Sequence, residues 1–381
     1  MSWQAHARSL ADLVTHPGSR WYPVLVSTPR HEFVPAWWEW EDGGWVLRRG
    51  PVADVYSNQS LVTRVGTRHA DQAADGDRPV GRPTSSSTMP SLLLTMYRHG
   101  QLDAGQSILD VGTGSGYGAA LLARRYGAER ITTVDIDPYL VAAASKRLAG
   151  LGLHPTALTV DATGPLPGQF DRIVSTVSVR SIPPSWLAAL RPGGRLVTTI
   201  TGTYMILAVT RGRDGLTGQV AWEPAAFMGT RTGPDYPADV DADLFEQDGE
   251  QISIGCYPVL NVAEAWELAT LFTLAVPGVR HAYRRGPDGQ HTAVIVHPDG
   301  SWARATAVGA EPPIVHQTGP RRLWDELDAV RDQWLRYGAA PYLGACVRVD
   351  EEGTVELTYG DWRAVIRPDC WRADPGGLTG A

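Results

Sequence analysis

The sequence has few cysteines, no excess of positive charge and no long apolar run. Because its three cysteines, Cys256, Cys346 and Cys370, show no CxxC spacing, we expect no zinc site and a reducing compartment, the cytoplasm. The formal net charge is -7, which disfavours a nucleic-acid partner because phosphate binding needs a basic surface. No apolar run is long enough to cross a bilayer, so no membrane partner is expected.

Three regions of the chain differ in pattern. The chain has 381 residues, which exceeds the roughly 250–300 residues at which one hydrophobic core stops growing. Residues 1–80 are rich in Trp, Pro and Gly and predict a substrate-recognition segment. Residues 81–240 alternate between strand and helix patterns and predict the main ligand-binding domain. Residues 241–381 return to hairpins with one helix and predict an α+β extension, which would also recognise substrate.

Short apolar stretches separated by helical patterns run through the middle region. The helix after the first stretch should end at Gly127, and Asp137 followed by Pro138 should begin the next helix. Because strands that alternate with helices build parallel sheets, we predict an α/β fold with a doubly wound, mostly parallel sheet. The predicted strands cover residues 107–111, 131–135, 158–161, 171–175 and 195–200.

Tryptophans mark both flanking regions. Two hairpins are predicted in the C-terminal region, with turns at 298–300 and 350–353. A tryptophan cluster at positions 37, 38 and 40 is interpreted as packing, with peptide recognition as the alternative. The helix between the hairpins carries residues at helical spacing that we interpret as core: Trp324, Leu327, Val330 and Trp334.

A glycine-rich loop follows the first predicted strand. Asp110 ends that strand, and Gly112, Gly114 and Gly116 allow the backbone to turn sharply and approach a ligand closely. Residues 114–119 also match the GxGxxA dinucleotide fingerprint, so a Rossmann oxidoreductase is an alternative on this segment alone. The loop therefore predicts a nucleotide-type ligand without identifying it.

Two further acids fall where strands end. Asp135 ends the second strand, where an acid can accept hydrogen bonds from ribose hydroxyls. Asp161 ends the third strand, where a carboxylate can accept a hydrogen bond from an adenine amino group. Together with the Arg-Pro-Gly-Gly turn at 191–194, these positions favour a Rossmann-like class I methyltransferase. The predicted cofactor is S-adenosylmethionine, with S-adenosylhomocysteine as its product.

The order of these motifs resembles the protein-L-isoaspartate O-methyltransferases across residues 50–202. Residues 81–89, GRPTSSSTM, correspond to the family's TISAPHMHA segment, with Ser85 on its substrate-contacting serine. Residues 170–183 follow the family's YDAIHVGAAAPVVP without a gap, and residues 190–196 match LKPGGRL. The resemblance implies methyl transfer from S-adenosylmethionine to a carboxylate on a peptide.

Some positions depart from the pattern of the repair enzymes. Ser87 and Thr88 replace the Pro and His that follow the family serine, and Asn58 stands where an acid is usual. Repair enzymes are also expected to be much shorter and to end soon after the sheet. The chain looks more like a longer branch found with biosynthesis of ribosomally made, modified peptides, such as lanthipeptides and ATP-grasp-crosslinked graspetides. Features shared with that branch are TSSS at 84–87, PRHEFVP at 29–35 and the Trp-containing stretch 324–362.

The longer branch implies a specific reaction and substrate. Its members esterify an aspartate in a crosslinked peptide, and the ester closes to a succinimide that can open to isoaspartate. Ser85 would orient the acceptor carboxylate, or alternatively cap the following helix, and Arg180 would pair with a substrate carboxylate or lie exposed on the surface. Repair of isoaspartate in damaged proteins and a non-catalytic cofactor-binding partner are the competing functions.

Overall fold

The structure is a computed structural model that describes residues 2–231, 233, 235–236, 240–286, 288–337 and 342–368; Cys370 lies outside them. In these ranges the helices are α1 Trp3–Val14, α2 Tyr22–Ser27, α3 Arg30–Phe33, α4 Val52–Val55, α5 Pro90–Gly100, α6 Tyr117–Tyr126, α7 Pro138–Gly150, α8 Pro184–Ala189, α9 Trp266–Ala275 and α10 Leu323–Tyr337. The strands are β1 Trp37–Glu41, β2 Gly44–Arg48, β3 Leu61–Val65, β4 Arg68–His69, β5 Pro83–Ser87, β6 Ile108–Val111, β7 Ile131–Asp135, β8 Thr156–Thr159, β9 Phe170–Val179, β10 Leu190–Ile200, β11 Ile206–Arg211, β12 Leu216–Val220, β13 Gln251–Ile254, β14 Arg280–Arg285, β15 Gln290–Val296, β16 Trp302–Val308, β17 Ile314–Thr318, β18 Cys346–Val349, β19 Val355–Tyr359 and β20 Trp362–Ile366.

The central sheet has the order β20-β19-β18-β12-β11-β10-β9-β6-β7-β8. The five strands from β10 to β8 are parallel, and the five from β20 to β11 are antiparallel, as is the β10–β11 pair. The prediction of a mostly parallel sheet is therefore wrong for the sheet as a whole. Its antiparallel half follows from connections such as 201–205 and 212–215, which are too short for a crossover helix.

Both faces of the parallel half are buried. Ile108 and Leu109 are fully buried neighbours on β6, and they belong to different hydrophobic clusters because successive side chains of a strand point to opposite faces. Helices α5 and α6 contribute to the first cluster and α8 to the second. This two-sided burial explains why the parallel strands appear in the sequence as continuous apolar runs.

The ends of the helices next to the glycine loop are as predicted. Gly127 caps α6 with φ +94°, and Asp137 caps α7 by accepting hydrogen bonds from the next helical N–H groups. The ends of the strands depart further from the prediction. Strand β8 ends at Thr159, two residues before Asp161, and β10 already begins at Leu190, with the predicted turn 192–194 forming an irregularity within it.

The C-terminal region contributes to two sheets. The hairpin predicted around 350–353 is β18–β19, and β18 pairs with β12 of the central sheet. The hairpin around 298–300 is β15–β16, part of a second sheet of order β13-β17-β16-β15-β14. Trp324 and Leu327 of α10 are buried against this second sheet, so their interpretation as core is confirmed. The division into three regions stays a prediction. Strands β18–β20 belong to the third region in sequence but to the central sheet in space.

The N-terminal region forms a small sheet in which β3 lies between β1 and β5. Trp37 and Trp38 are buried, whereas Trp40 is exposed. Strand β5 contains the serine run and leads directly into α5. Within the described residues, none of the helices has the length and apolar character needed to cross a membrane.

Candidate cofactor and acceptor site

A cavity of about 260 Å³ lies at the carboxyl ends of the parallel strands. Three segments that are far apart in sequence contribute to its lining: residues 112–115, 117 and 118 of the glycine loop, the serine-rich stretch 83–88, and the stretch 226–231 together with Tyr236. Gly116 does not line the cavity. A ligand site at this end of the sheet is typical of open α/β folds.

The glycine loop needs its glycines for two reasons. Gly112, Gly114 and Gly116 have φ values of +100°, +50° and +89°, a region that L side chains rarely adopt. A Cβ on Gly112 would lie 2.9 Å from Thr176 Oγ1, and one on Gly116 would lie 2.8 Å from Ala144 Cβ. The glycines at 112 and 116 therefore allow the loop to pack closely against β9 and α7, while Gly112 and Gly114 present bare backbone to the cavity.

Asp135 is held by the backbone and lines the cavity. Its Oδ2 accepts a hydrogen bond from Gly114 N–H at 2.9 Å, and its Oδ1 accepts one from Asp137 N–H at 3.1 Å. Burial raises the pKa of this carboxyl, although the two N–H groups and the charge of Arg231 oppose the shift. Each carboxylate oxygen has a further lone pair, so Asp135 can accept hydrogen bonds from ligand hydroxyls.

Asp110 is more deeply buried, with 2% of its surface exposed. Its Oδ2 accepts a hydrogen bond from Thr133 Oγ1 at 2.8 Å, and Thr133 in turn shares one with Thr113 at 2.7 Å. Burial raises the pKa of Asp110 to about 7. Asp110 is thus linked through Thr133 to Thr113 in the glycine loop. It also forms part of the cavity lining.

Asp161 is exposed at the edge of the cavity. Its Oδ1 accepts hydrogen bonds from the N–H of Thr163 at 2.9 Å and from its hydroxyl at 2.6 Å. In the part of the chain that the structure describes, Oδ2 of Asp161 accepts no protein hydrogen bond, so this oxygen can accept one from a ligand.

Ser85 lies where the serine-rich strand meets the glycine loop. Its side chain is buried and its Oγ accepts a hydrogen bond from Thr63 Oγ1 at 3.1 Å. A Cβ on Gly114 would lie 3.2 Å from Ser86 O and 3.8 Å from Ser85 Oγ, which shows how closely the two segments approach. Helix α5 begins only at Pro90 with Met89 at its N-cap, so the interpretation of Ser85 as a helix cap is wrong.

Arg180 is not brought to the cavity. It follows β9 directly and is exposed, and it does not contribute to the lining. Among the described residues, the basic side chain that does line the cavity is Arg231, which sequence reasoning missed. Its stretch is held by backbone pairing to Ser178, whose N–H donates to Met228 O and whose carbonyl accepts from Thr230 N–H, both at 2.8 Å. No motif in 226–231 indicates this long-range pairing.

Fold and site together define a class I methyltransferase. The family model described as Protein-L-isoaspartate(D-aspartate) O-methyltransferase (PCMT) matches residues 70–261, half of the chain. The chain belongs to this family and is an S-adenosylmethionine-dependent carboxyl O-methyltransferase. The oxidoreductase alternative and the non-catalytic alternative are therefore wrong.

Several relatives carry the same name. A Protein-L-isoaspartate O-methyltransferase of Anaeromyxobacter dehalogenans is 36% identical over 166 residues, covering 42% of this chain and 78% of the relative. Protein-L-isoaspartate O-methyltransferase 1 of Nitrosospira multiformis is 28% identical over 224 residues, covering 57% of this chain and 80% of the relative.

A solved structure of a protein-L-isoaspartate O-methyltransferase resembles the fold of nearly the whole chain. The TM-score is 0.51 at 17% identity, and the match covers 96% of this chain and 100% of the other. The likeness concerns the fold alone.

Proposed function

We propose that this enzyme transfers a methyl group from S-adenosylmethionine to the side-chain carboxylate of an aspartate in a shaped, crosslinked ribosomal peptide. The observation that carries the proposal is the contact between the serine-rich strand and the glycine loop, which brings Ser85 Oγ beside the backbone of Gly114. A hydroxyl where these two segments meet can bind an acceptor carboxylate next to a cofactor on the glycine loop.

The cofactor is proposed to lie along the acids of the parallel strands. Asp135 would accept the ribose hydroxyls, and Asp161 would accept a hydrogen bond from the adenine amino group through its open oxygen. The glycine loop would supply the close backbone approach, with Asp110 beneath it. The proposed cofactor-binding residues are Asp110, Gly112, Gly114, Gly116, Asp135 and Asp161.

The acceptor requires orientation rather than deprotonation. A carboxylate has an ordinary pKa of about 4 and is already ionised at neutral pH, so no general base is proposed. When bound, S-adenosylmethionine supplies an electrophilic methyl group on a sulfonium. Ser85 and the cavity walls would align the carboxylate oxygen in line with that methyl, and such positioning can lower a barrier by roughly 7–11 kcal/mol. Arg231 inside the cavity, or Arg180 outside it, would bind a second anionic group of the peptide.

The ester would react further without the enzyme. The backbone amide nitrogen of the next residue attacks the ester carbonyl, loses its proton and expels methanol, which leaves a succinimide. Water can then open the ring to aspartate or isoaspartate. A following glycine would favour closure because it has no side chain to obstruct the nitrogen. A cytoplasmic location remains a prediction.

A second candidate function is methylation of isoaspartate in damaged proteins. It is favoured by the names of the relatives in Anaeromyxobacter dehalogenans and Nitrosospira multiformis. The crosslinked peptide is favoured by the resemblance of segment 84–87 to the longer branch and by its place on β5 in the cavity wall.

Three peptides of one sequence distinguish these functions: a linear peptide with Asp, its crosslinked form, and a linear peptide with isoaspartate. We expect the crosslinked Asp peptide to have the highest kcat/KM, because it has already lost chain entropy that the linear form must lose on binding. Mass spectrometry should show a methyl gain followed by loss of methanol, a net loss of one water. An Asn in place of the acceptor Asp is the control and should remain unmethylated. Methylation of the isoaspartyl peptide alone would establish the repair function instead.

A further inference from the structure

Three ionisable side chains form a buried cluster around Asp137, two residues after Asp135, and do not line the cavity. Arg64 lies on β3, His69 ends β4 and Asp137 caps α7, with 5%, 8% and 8% of their surfaces exposed. Two of them come from the small N-terminal sheet and one from the central domain. Buried charges are retained only when they are paired, so this cluster joins the two parts of the molecule.

Asp137 is the centre of the cluster. Its Oδ1 accepts hydrogen bonds from the N–H groups of Tyr139 at 2.9 Å and Leu140 at 3.4 Å. Its Oδ2 lies 3.3 Å from both Arg64 Nε and His69 Nε2, and the Arg64 contact is an ion pair without hydrogen-bond alignment. Burial would raise the pKa of Asp137, but the hydrogen bond and charge of His69 and the charge of Arg64 hold it at about 2.

The cluster reaches the cofactor site through one backbone group. Asp137 N–H donates to Asp135 Oδ1 and is one of two N–H groups that orient this carboxylate; the other belongs to Gly114. We propose that Arg64 and His69 are positioning residues for cofactor binding, which fix Asp137 and through it the carboxylate of Asp135. This rests on the proposed role of Asp135 as the ribose acceptor.

The two residues belong to the N-terminal segment. The family match begins at residue 70, just after His69, and both residues fall within the N-terminal segment 1–80. The segment predicted to recognise substrate would then also set cofactor affinity. Because His69 packs on the ring of Tyr139, with centroids 4.3 Å apart, an apolar replacement of similar size can keep the packing while removing the donor.

The test compares His69→Leu with His69→Gln. Leu removes the donor to Asp137, whereas Gln offers an N–H in its place. We expect His69→Leu to bind S-adenosylmethionine about tenfold more weakly in calorimetry, within the range for residues in contact, and to raise its KM by the same factor. The kcat and the KM for peptide should not change, and His69→Gln should recover most of the affinity. Arg331→Met, which breaks a buried ion pair with Asp328 in the C-terminal region, is the control for lost stability and should bind cofactor normally.

A double-mutant cycle shows whether His69 acts through Asp135. In an Asp135→Ala background, His69→Leu should cause no further loss of affinity; an equal loss in both backgrounds overturns the inference. If Asp135→Ala binds cofactor as the parent does, the proposed cofactor site is wrong. If Asp135→Ala weakens binding and His69→Leu does not, only this inference is wrong. Should His69→Leu not fold, Asp137→Asn retains an oxygen to cap α7 while losing its charge, and it should show the same loss; unchanged affinity would overturn the inference.

Discussion

The two walls of the cavity are built from the chain in different ways. The cofactor wall comes mainly from two nearby segments, 110–118 and 134–136, which follow from strands that are paired in parallel. The acceptor wall comes from β5 and the stretch 226–231, and it is held by residues still farther away. Arg30, fully buried, donates to the carbonyls of Val55, Ser57 and Gln59 and approaches that of Ser87.

Because the two walls are held differently, changes in them should affect different properties. Changes in the cofactor wall should affect cofactor affinity, and changes in the acceptor wall should affect stability or turnover. In the cofactor wall, local N–H groups orient Asp135, so a change at Asp135 should alter cofactor binding with limited effects elsewhere. Asp110 is the exception, because it is buried and its ionisation should affect stability. In the acceptor wall, a side chain such as Ser85 is placed by a strand that depends on contacts across the molecule. Changes to those contacts should therefore affect the fold or the rate before they affect cofactor affinity. Four experiments test this separation.

The strongest test removes the contacts that hold the acceptor wall. Arg30→Met should lower the free energy of unfolding by more than about 3 kcal/mol, because several buried or partly buried carbonyls lose their donor at about 1–3 kcal/mol each where they stay unpaired. Urea unfolding measures the change. Arg48→Met, which removes a partly exposed arginine paired with the exposed Glu39 and Glu41, is the control and should change stability by no more than about 1 kcal/mol. Equal effects of the two variants would contradict the comparison.

The second test uses pH on the cofactor wall. Asp110 has a pKa of about 7 in the folded chain, against about 4 when unfolded, so the folded state binds the proton more tightly. Stability should then fall as the pH rises from about 4 to about 7. Asp110→Asn keeps an acceptor for Thr133 and should flatten this slope, with a gain of about 4 kcal/mol at pH 8. Parallel pH profiles of variant and parent in urea unfolding would rule this out.

The third test concerns cofactor affinity. Asp135→Ala should weaken S-adenosylmethionine binding by about 2 kcal/mol, since hydrogen bonds to a charged group contribute about 1.5–3 kcal/mol. Calorimetry on the folded variant gives the value. Asp161→Ala should cost less because Asp161 is exposed and water competes for its open oxygen, and Asp42→Ala, in an exposed turn, should have no effect. Unchanged affinity of the Asp135 variant would remove it from the site.

The smallest expected effect concerns Ser85, which lies where the acceptor wall meets the glycine loop. Ser85→Ala should lower kcat about three- to tenfold, the equivalent of one hydrogen bond, while cofactor affinity stays the same. Ser86→Ala is the matched control, because Ser86 meets the loop through its carbonyl, which the variant retains. Loss of cofactor binding with normal turnover at saturation would mean that Ser85 belongs to the other wall.

Most of the cofactor wall could be predicted from the sequence. Gly112, Gly114 and Gly116 have the positive φ values that their spacing predicts, and Asp135 ends β7 at the predicted residue. These positions are set by local geometry: strand alternation, tight turns and helix caps depend on residues within a few positions of one another. The acceptor wall was only partly predicted. Family resemblance pointed to Ser85, but Arg231 was missed and Arg180 lies outside the cavity.

The sequence by itself determined the local elements of this protein, since backbone propensity, capping and the glycine φ requirement act over a few residues. Only the tertiary structure decided which distant segments meet. It placed β18–β20 in the central sheet, stretch 226–231 in the cavity lining, and Arg64 and His69 beside Asp137. The physical reason is that strand pairing and buried ion pairs depend on mutual complementarity of remote segments, which leaves no periodic signal in either segment alone.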